Sequence, residues 1–253
     1  MKRIVVLGLS LVLLLSVSLA TSAQTPKVTV SGGYLFGNYS LEGGGSKLEY
    51  KDNGFVVEGN ALLLGPVGVQ ATYMSLEGSD FRSDGTPPPE GTTVKDTSTR
   101  LDVLGTVALP VPVEKLRLLA RAGYTTTTDK FEVSDATDSM KMTTNIKGYL
   151  AGAAAVFTPV EPLTVSASVG YGLGMKWDRK TEFAGSMTGT YEEEGDAGLF
   201  TYKVAAAYRV LPNVSVEAGY TSSKYTLKPP SGTGGEDSTA TIDGYLVGAK
   251  CSF

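Results

Sequence analysis

Between Leu163 and Gly174 every second side chain is apolar: Leu163, Val165, Ala167, Val169, Tyr171 and Leu173 alternate with Thr164, Ser166, Ser168, Gly170, Gly172 and Gly174. A period of two belongs to an extended strand with one greasy face, because helical neighbours recur at three and four residues. The same period runs through Val28-Val30-Gly32-Tyr34-Phe36, Leu101-Val103-Gly105-Val107-Leu109 and Leu116-Leu118-Ala120-Ala122-Tyr124. It returns in Tyr149-Ala151-Ala153-Ala155-Phe157, Phe200-Tyr202-Val204-Ala206-Tyr208-Val210, Val214-Val216-Ala218-Tyr220 and Tyr245-Val247-Ala249-Cys251-Phe253. Phe55 to Leu63 and Val67 to Leu76 alternate less cleanly. With Gly, Thr, Ser, Val and Tyr in place of a helical Leu/Glu/Lys/Ala mixture, the chain reads as all-β.

The connections fall into two alternating kinds. Four are short and carry proline: Gly65-Pro66, Pro110-Val111-Pro112, Pro159-Val160-Glu161-Pro162 and Leu211-Pro212-Asn213. Proline cannot donate to a ladder, so each marks a strand break. Five others are polar, near Glu42 to Ser46, Gly78 to Lys95, Thr128 to Lys141, Lys176 to Gly195 and Lys228 to Asp237, and all but the first are read as long loops. Four turns and five loops require ten strands; a different division of Phe55 to Leu76 would give eight or twelve. Short turns at one end and long loops at the other are the pattern of a transmembrane barrel.

A soluble sandwich or lipocalin-like barrel would bury the same apolar faces inward. The makeup of the faces favours lipid: aromatics such as Tyr149 and Phe157, or Phe200, Tyr202 and Tyr208, sit at their ends, with small aliphatics between. Two interfacial girdles account for that distribution. The expectation is a single antiparallel up-and-down transmembrane β-barrel.

Met1-Lys2-Arg3, an uncharged run from Ile4 to Ala20 and Thr21-Ser22-Ala23 have the form of a secretory signal peptide, cleaved near Ala23. The division expected is 1–23 signal peptide and 24–253 barrel. No apolar run of spanning length follows Gln24. Removing Lys2 and Arg3 takes the net charge from −4 to −6, and no basic stripe suggests nucleic acid. Cys251 is the only cysteine, so no intramolecular disulfide can form.

The chain ends on Phe253, with Cys251, Ala249, Val247 and Tyr245 at alternate positions before it. This resembles the C-terminal signature of bacterial outer-membrane proteins, a terminal aromatic preceded by alternating apolar residues. The resemblance implies recognition by the barrel-assembly machinery, a place in a Gram-negative-type outer membrane, and a small barrel of the general OmpA-like or opacity-like kind. Outer-membrane lipid and lipopolysaccharide are then the expected surroundings, with an extracellular ligand of unknown identity.

There is no histidine. The omptin proteases, similar in size, pair a histidine with carboxylates, and the outer-membrane lipid A acylases, deacylases and phospholipase use a histidine base, so none of those mechanisms carries over. Histidine-ligated metals are excluded, and one cysteine cannot build a thiolate site. Neither cofactor nor metal is expected, and no enzyme activity. Glu192-Glu193-Glu194 with Asp196, and Asp135 with Asp138, could feed a calcium site or a bridge to lipopolysaccharide, but solvated acidic loops are the simpler reading. The five polar connections carry 15 acidic and 8 basic residues, an acidic rim that favours cations.

If the apolar sets face lipid, Asp102, Arg117, Arg121, Lys203, Arg209 and Glu217 face the lumen, with Glu58, Lys147, Asp243 and Lys250 expected to join them. Such charges must pair or meet water. Asp102 with Arg117 or Arg121, and Glu217 with Lys203 or Arg209, are the neighbouring-strand candidates. They can form a salt-bridged plug or line a thin aqueous path beside the small set Thr164 to Gly174, and ten strands lie near the closed end of the size scale. Trp177, beside Lys176, Asp178, Arg179 and Lys180, is expected in the outer girdle with lysines reaching lipopolysaccharide phosphates. Three functions stay open: surface interaction, a narrow channel and, least favoured, a loop enzyme.

Overall fold

The computed structural model describes residues 28–186, 188–229 and 236–253. The proposed signal peptide lies outside them. Ten antiparallel strands close into one barrel: β1 (Val28–Gly43), β2 (Ser46–Leu64), β3 (Val67–Ser83), β4 (Thr93–Leu109), β5 (Leu116–Ser134), β6 (Ser139–Val160), β7 (Leu163–Ala184), β8 (Gly189–Leu211), β9 (Val214–Lys228) and β10 (Ser238–Ser252). Each strand pairs with its sequence neighbours, and β1 pairs with β10 to remove both edges. The seam ends in a reciprocal pair: the Phe253 amide donates to the Val28 carbonyl at 2.8 Å, and the Val28 amide to the Phe253 carbonyl at 3.3 Å.

All four proline-bearing connections are the short turns between β2 and β3, β4 and β5, β6 and β7, and β8 and β9. At the opposite, hairpin end, two of the expected long loops, Thr128 to Lys141 and Lys176 to Gly195, are mostly strand. β5 and β6 stay paired up to Ser134 and Ser139, and β7 and β8 stay paired up to Phe183 and Gly189. Polar residues on the outward face conceal these extensions from a lipid-facing pattern. They are laced instead by cross-strand ion pairs, Lys141 to Glu132 at 3.0 Å and Lys176 to Asp196 among them.

The apolar sets point outward. Tyr34, Phe36, Val103, Tyr149, Val169, Tyr171, Val204, Tyr245 and Val247 are all exposed although large and hydrophobic. Toward the hairpin end of this surface, aromatic rings touch from strand to strand, as in Phe55 with Tyr73, Tyr124 with Tyr149, Tyr202 with Tyr220 and Tyr220 with Tyr245. Phe157, Tyr208 and Phe253 stand exposed toward the turn end. A contiguous apolar wall bounded by aromatics has no place in water and fits a hydrocarbon slab.

Beyond the upper belt the pattern inverts along unbroken strands. On β10 the outward residues pass from Val247 and Tyr245 to Asp243 and Thr241, while the inward ones pass from Lys250 through Leu246 to Ile242 and Ala240. The barrel thus stands clear of the membrane at its hairpin end, where its interior is packed like that of a soluble protein.

Candidate functional site

Inside the lumen the fold forces charged groups together. Toward the turn end, Lys203 on β8 sits 3.0 Å from Glu217 on β9 and 3.7 Å from Glu58 on β2, so one ammonium bridges two carboxylates across the barrel. Asn60 donates to Glu58 at 2.8 Å. Arg121 and Lys250 contribute further positive charge to Glu58, and Arg121 donates to the Val169 carbonyl at 3.4 Å. Arg209 leaves this group and pairs with Glu161 in the β6–β7 turn at 2.5 Å. Arg117, near the turn end of β5, is exposed.

Asp102 is buried on β4, but its partner is neither Arg117 nor Arg121. Arg100, two residues along the same strand, donates to it through Nε at 2.9 Å, and Thr125 on β5 donates to it at 2.5 Å. Arg100 also donates to Ser223 at 2.8 Å and reaches the Tyr225 hydroxyl at 3.5 Å, both across the lumen on β9. Thr127 meets the same hydroxyl at 3.1 Å. Arg100 was legible as inward, since it shares parity with Asp102; side chains two apart on a strand point the same way.

Two expected lumen charges lie outside the wall. Lys147 has the parity of outward Tyr149 and pairs with Asp178 at 3.5 Å on the exposed face. Asp243 has the parity of outward Tyr245 and accepts a hydrogen bond from the Tyr220 hydroxyl at 3.0 Å. In both cases the alternation itself requires the observed side: the ladder shift between Lys147 and Tyr149 puts its extra residue on β7 and leaves the parity of β6 intact, and the β10 ladders run without a shift between Asp243 and Tyr245.

Trp177 also departs from expectation. It is 5% exposed, belongs to the inner core, and donates from Nε1 to the Lys228 carbonyl at 2.9 Å. The β7–β8 ladder shifts between Tyr171 and Met175, where Gly174 takes a φ of 58°. An extra residue in one strand reverses the parity beyond it. Met175, Trp177 and Arg179 therefore turn inward, whereas Lys176, Asp178 and Lys180 turn out.

The feature missing from the charge-based reading is apolar. Leu35, Leu76, Leu104, Leu150, Leu199 and Leu246 all project inward and are almost wholly shielded, within one cluster fed by nine of the ten strands. Glycines face several of them across the ladders: Gly54 between Leu35 and Leu76, Gly123 between Leu104 and Leu150, and Gly219 opposite Leu246. At Gly123 a Cβ would fall 2.0 Å from the Val103 carbonyl oxygen, so only glycine fits that approach. Beside the small residues Gly170 and Gly172 lie Leu150, and Met175 with Leu199, respectively.

At the hairpin end the wall residues of β6, β7 and β8 shape a cleft of about 710 Å³, with Lys141, Lys180, Glu182, Glu192 and Glu194 among its lining. Asp138 accepts from the Ser186 amide and hydroxyl, both at 2.6 Å, tying the 135–138 turn to its neighbour. Asp135 accepts from the amides of Thr137 and Asp138, both at 2.8 Å. These bonds hold both carboxyls below the usual range.

The family model described as outer membrane protein beta-barrel domain matches residues 8–159. Among solved structures, the outer membrane protease OmpT from Escherichia coli is similar with a TM-score of 0.65 at 14% identity, over 90% of this chain and 96% of that one. A major outer membrane protein from Thermus thermophilus matches at 13% identity and a TM-score of 0.46, over 91% and 100%. Ail, the attachment invasion locus protein of Yersinia pestis, matches at 12% and 0.38, over 90% and 98%. No curated protein matches.

Proposed function

Because the chain belongs to the outer membrane protein β-barrel domain family, whose place is the Gram-negative outer membrane, we propose that it is a closed, non-enzymatic barrel that presents its hairpin end for contacts outside the cell. The observation that carries this reading is the filled lumen. Leu35, Leu104, Leu150, Leu199 and Leu246 stop it with side chains exposed by no more than 6%. Lys203, Glu58 and Glu217 fill the space on the turn side of that stopper. Water does not thread a dry apolar core of that density, and ions still less. Exported through a signal peptide, the chain would place its short turns in the periplasm and its extended hairpins outside.

The lack of histidine leaves no general base of the kind the enzyme barrels use. What the outer end does offer is an alternating charge surface on β6 to β8, with Lys180 bonded to Glu182 at 2.6 Å and Lys176 to Asp196. Its excess of acid suits a cationic partner. The lysines on this surface stand just above the aromatic belt, where lipopolysaccharide phosphates would meet them.

Planar-bilayer recording of the purified protein tests the closed state. Silence is the expected record; steady steps that change when Arg121 or Glu217 is neutralised would replace this reading with a narrow channel. Attachment of cells displaying the protein to polylysine-coated glass tests the outward role. It should fall when Glu192, Glu193 and Glu194 are all changed to Gln.

A further inference from the structure

Three aspartates are shut inside the hairpin end, on the far side of the leucines from the ion pairs described above. Asp52 on β2 is 0% exposed and Asp96 on β4 is 6% exposed. No protein group among the described residues lies within hydrogen-bond reach of either Asp52 oxygen or of Oδ2 of Asp96. Asp129 on β5 accepts from Ser98 at 2.6 Å. The positive charge that acts on Asp129 is Arg179, which is itself shared with Glu193 at 3.8 Å and stacked over the Trp177 ring at 5.3 Å.

Burial and the neighbouring acids raise Asp52 to about 8 and Asp96 to about 7, so protons compete for these groups. Protonated or not, neither Asp52 oxygen has a hydrogen-bond partner among the described residues. What the cluster lacks is a donor or a positive charge brought from outside the chain.

The surroundings supply both room and access. Gly78 on β3 pairs with Asp52 on one side and Asp96 on the other, and the Tyr50 ring and the Asp96 side chain crowd the space over it; of the three acids, Asp96 lines the adjoining cavity. A cavity of about 180 Å³ opens there, beneath the loop between β3 and β4, and is lined by Tyr50, Gly78, Asp80, Phe81, Thr92 and Asp96. That volume holds about six waters at ~30 Å³ each. At its rim Asp80 is paired with Lys51 at 2.6 Å, whereas Oδ2 of Asp96, farther in, has no partner among the described residues.

We propose that this cavity binds a hydrated divalent cation, held through its water shell by Asp96, with Asp52 behind Gly78 and Asp129 on the next strand supplying the balancing charge. A hydrated ion is required because no three carboxylates among the described residues converge closely enough to cage a bare one. Magnesium-like ions keep their waters and accept one or two carboxylates in this way. Tyr50 and Phe81, stacked at 5.7 Å, form the apolar side of the cavity and shield the charges from bulk water. The site ties β2, β3 and β4 together beyond the membrane.

Terbium luminescence tests it directly on the full-length protein in detergent, because Tyr50 in the cavity wall can sensitise the bound ion. The expected result is saturable emission displaced by calcium or magnesium. Affinity should weaken at least about tenfold in both Asp96→Asn and Asp52→Asn, and stay unchanged in Asp138→Asn and Glu192→Gln. Asp52→Asn, whose carboxylate lies behind the cavity wall, keeps the test valid if Asp96→Asn does not fold. Emission that is absent, not displaced, or unaltered in these variants overturns the proposal. So does a melting temperature that follows pH but ignores divalent ions, which would assign the neutralising charge to protons. None of these readouts depends on whether the lumen conducts.

Discussion

Arg100 and Asp102 show how much one buried pair can weigh in a narrow barrel. The guanidinium is shielded by β4, β5 and β9 and has Asp102 as its counter-charge. Asp102→Ala should therefore cost about 3–5 kcal/mol, because it strands a charge in the dry lumen. The pair Lys147 and Asp178 lies on the outer surface, with side chains about half exposed, and Lys147→Ala should cost less than ~1 kcal/mol. Urea midpoints in a common detergent compare the two. Sidedness has its own check in a Cys251→Ser background: Lys147→Cys and Asp243→Cys should react with a bulky membrane-impermeant maleimide, and Glu58→Cys should not. Equal reaction at Glu58 would reverse the assignment of faces. At this scale the site was partly misread: parity alone places Arg100 inward and Lys147 and Asp243 outward, yet both of the latter were expected in the lumen and Asp102 was matched to the wrong arginines. Trp177 was not legible, because Gly172-Leu173-Gly174 continues the alternation in sequence while the strand bulges in space.

Elements were read well where lipid imposes a pattern and poorly where it does not. Prolines marked all four turns, and hydrocarbon selected the greasy face of each strand. Beyond the belt both faces of a strand can be polar, as at Thr125 to Lys130, so the period of two fades and extended strand resembles loop. What orders the tips there is local chemistry. Asp138 holds the Ser186 amide and hydroxyl, and Asp135 holds two amides of its own turn. Both carboxyls are held below their ordinary value of 3.8, with side-chain and backbone bonds from Ser186 the main cause for Asp138 and backbone bonds from Thr137 and Asp138 for Asp135. A lowered folded value means the stabilisation is present above 3.8 and is lost as pH falls through the lowered value. Amide exchange at Ser186 and Thr137 should therefore be slow at neutral pH, after correction for intrinsic rates, and lose its protection only as pH falls from 3.8 toward the lowered values. Asp138→Ala should lose it for Ser186 at every pH.

For the molecule as a whole, the inward leucines decide whether ten strands enclose a pore or a core. They lie on the strand faces opposite the aromatics, as Leu35 does between Tyr34 and Phe36 and Leu246 between Tyr245 and Val247. Reading those strands for lipid alone leaves their second apolar set without a role, and the charges then seem to own the lumen. Leu35 pairs with Gly54 and Leu246, Leu104 with Gly123 and Gln70, and Leu199 with Tyr225, so each has a partner on at least one side that does not replace its volume without moving. Each Leu→Ala change at Leu35, Leu104 or Leu199 should cost about 2–5 kcal/mol, the range for deleting a buried leucine side chain. The triple variant, if it still shows heat-modifiable migration, should leave a void continuous with the charged layer of Glu58, Lys203 and Glu217. Because that layer is polar, the void will hydrate rather than stay dry. Bilayers containing the triple variant should then show small steps, and those containing the natural protein none. Steps of equal size from both would mean that ions pass somewhere other than through the leucine layer, and silence from both would mean that the ion pairs alone suffice to close the barrel.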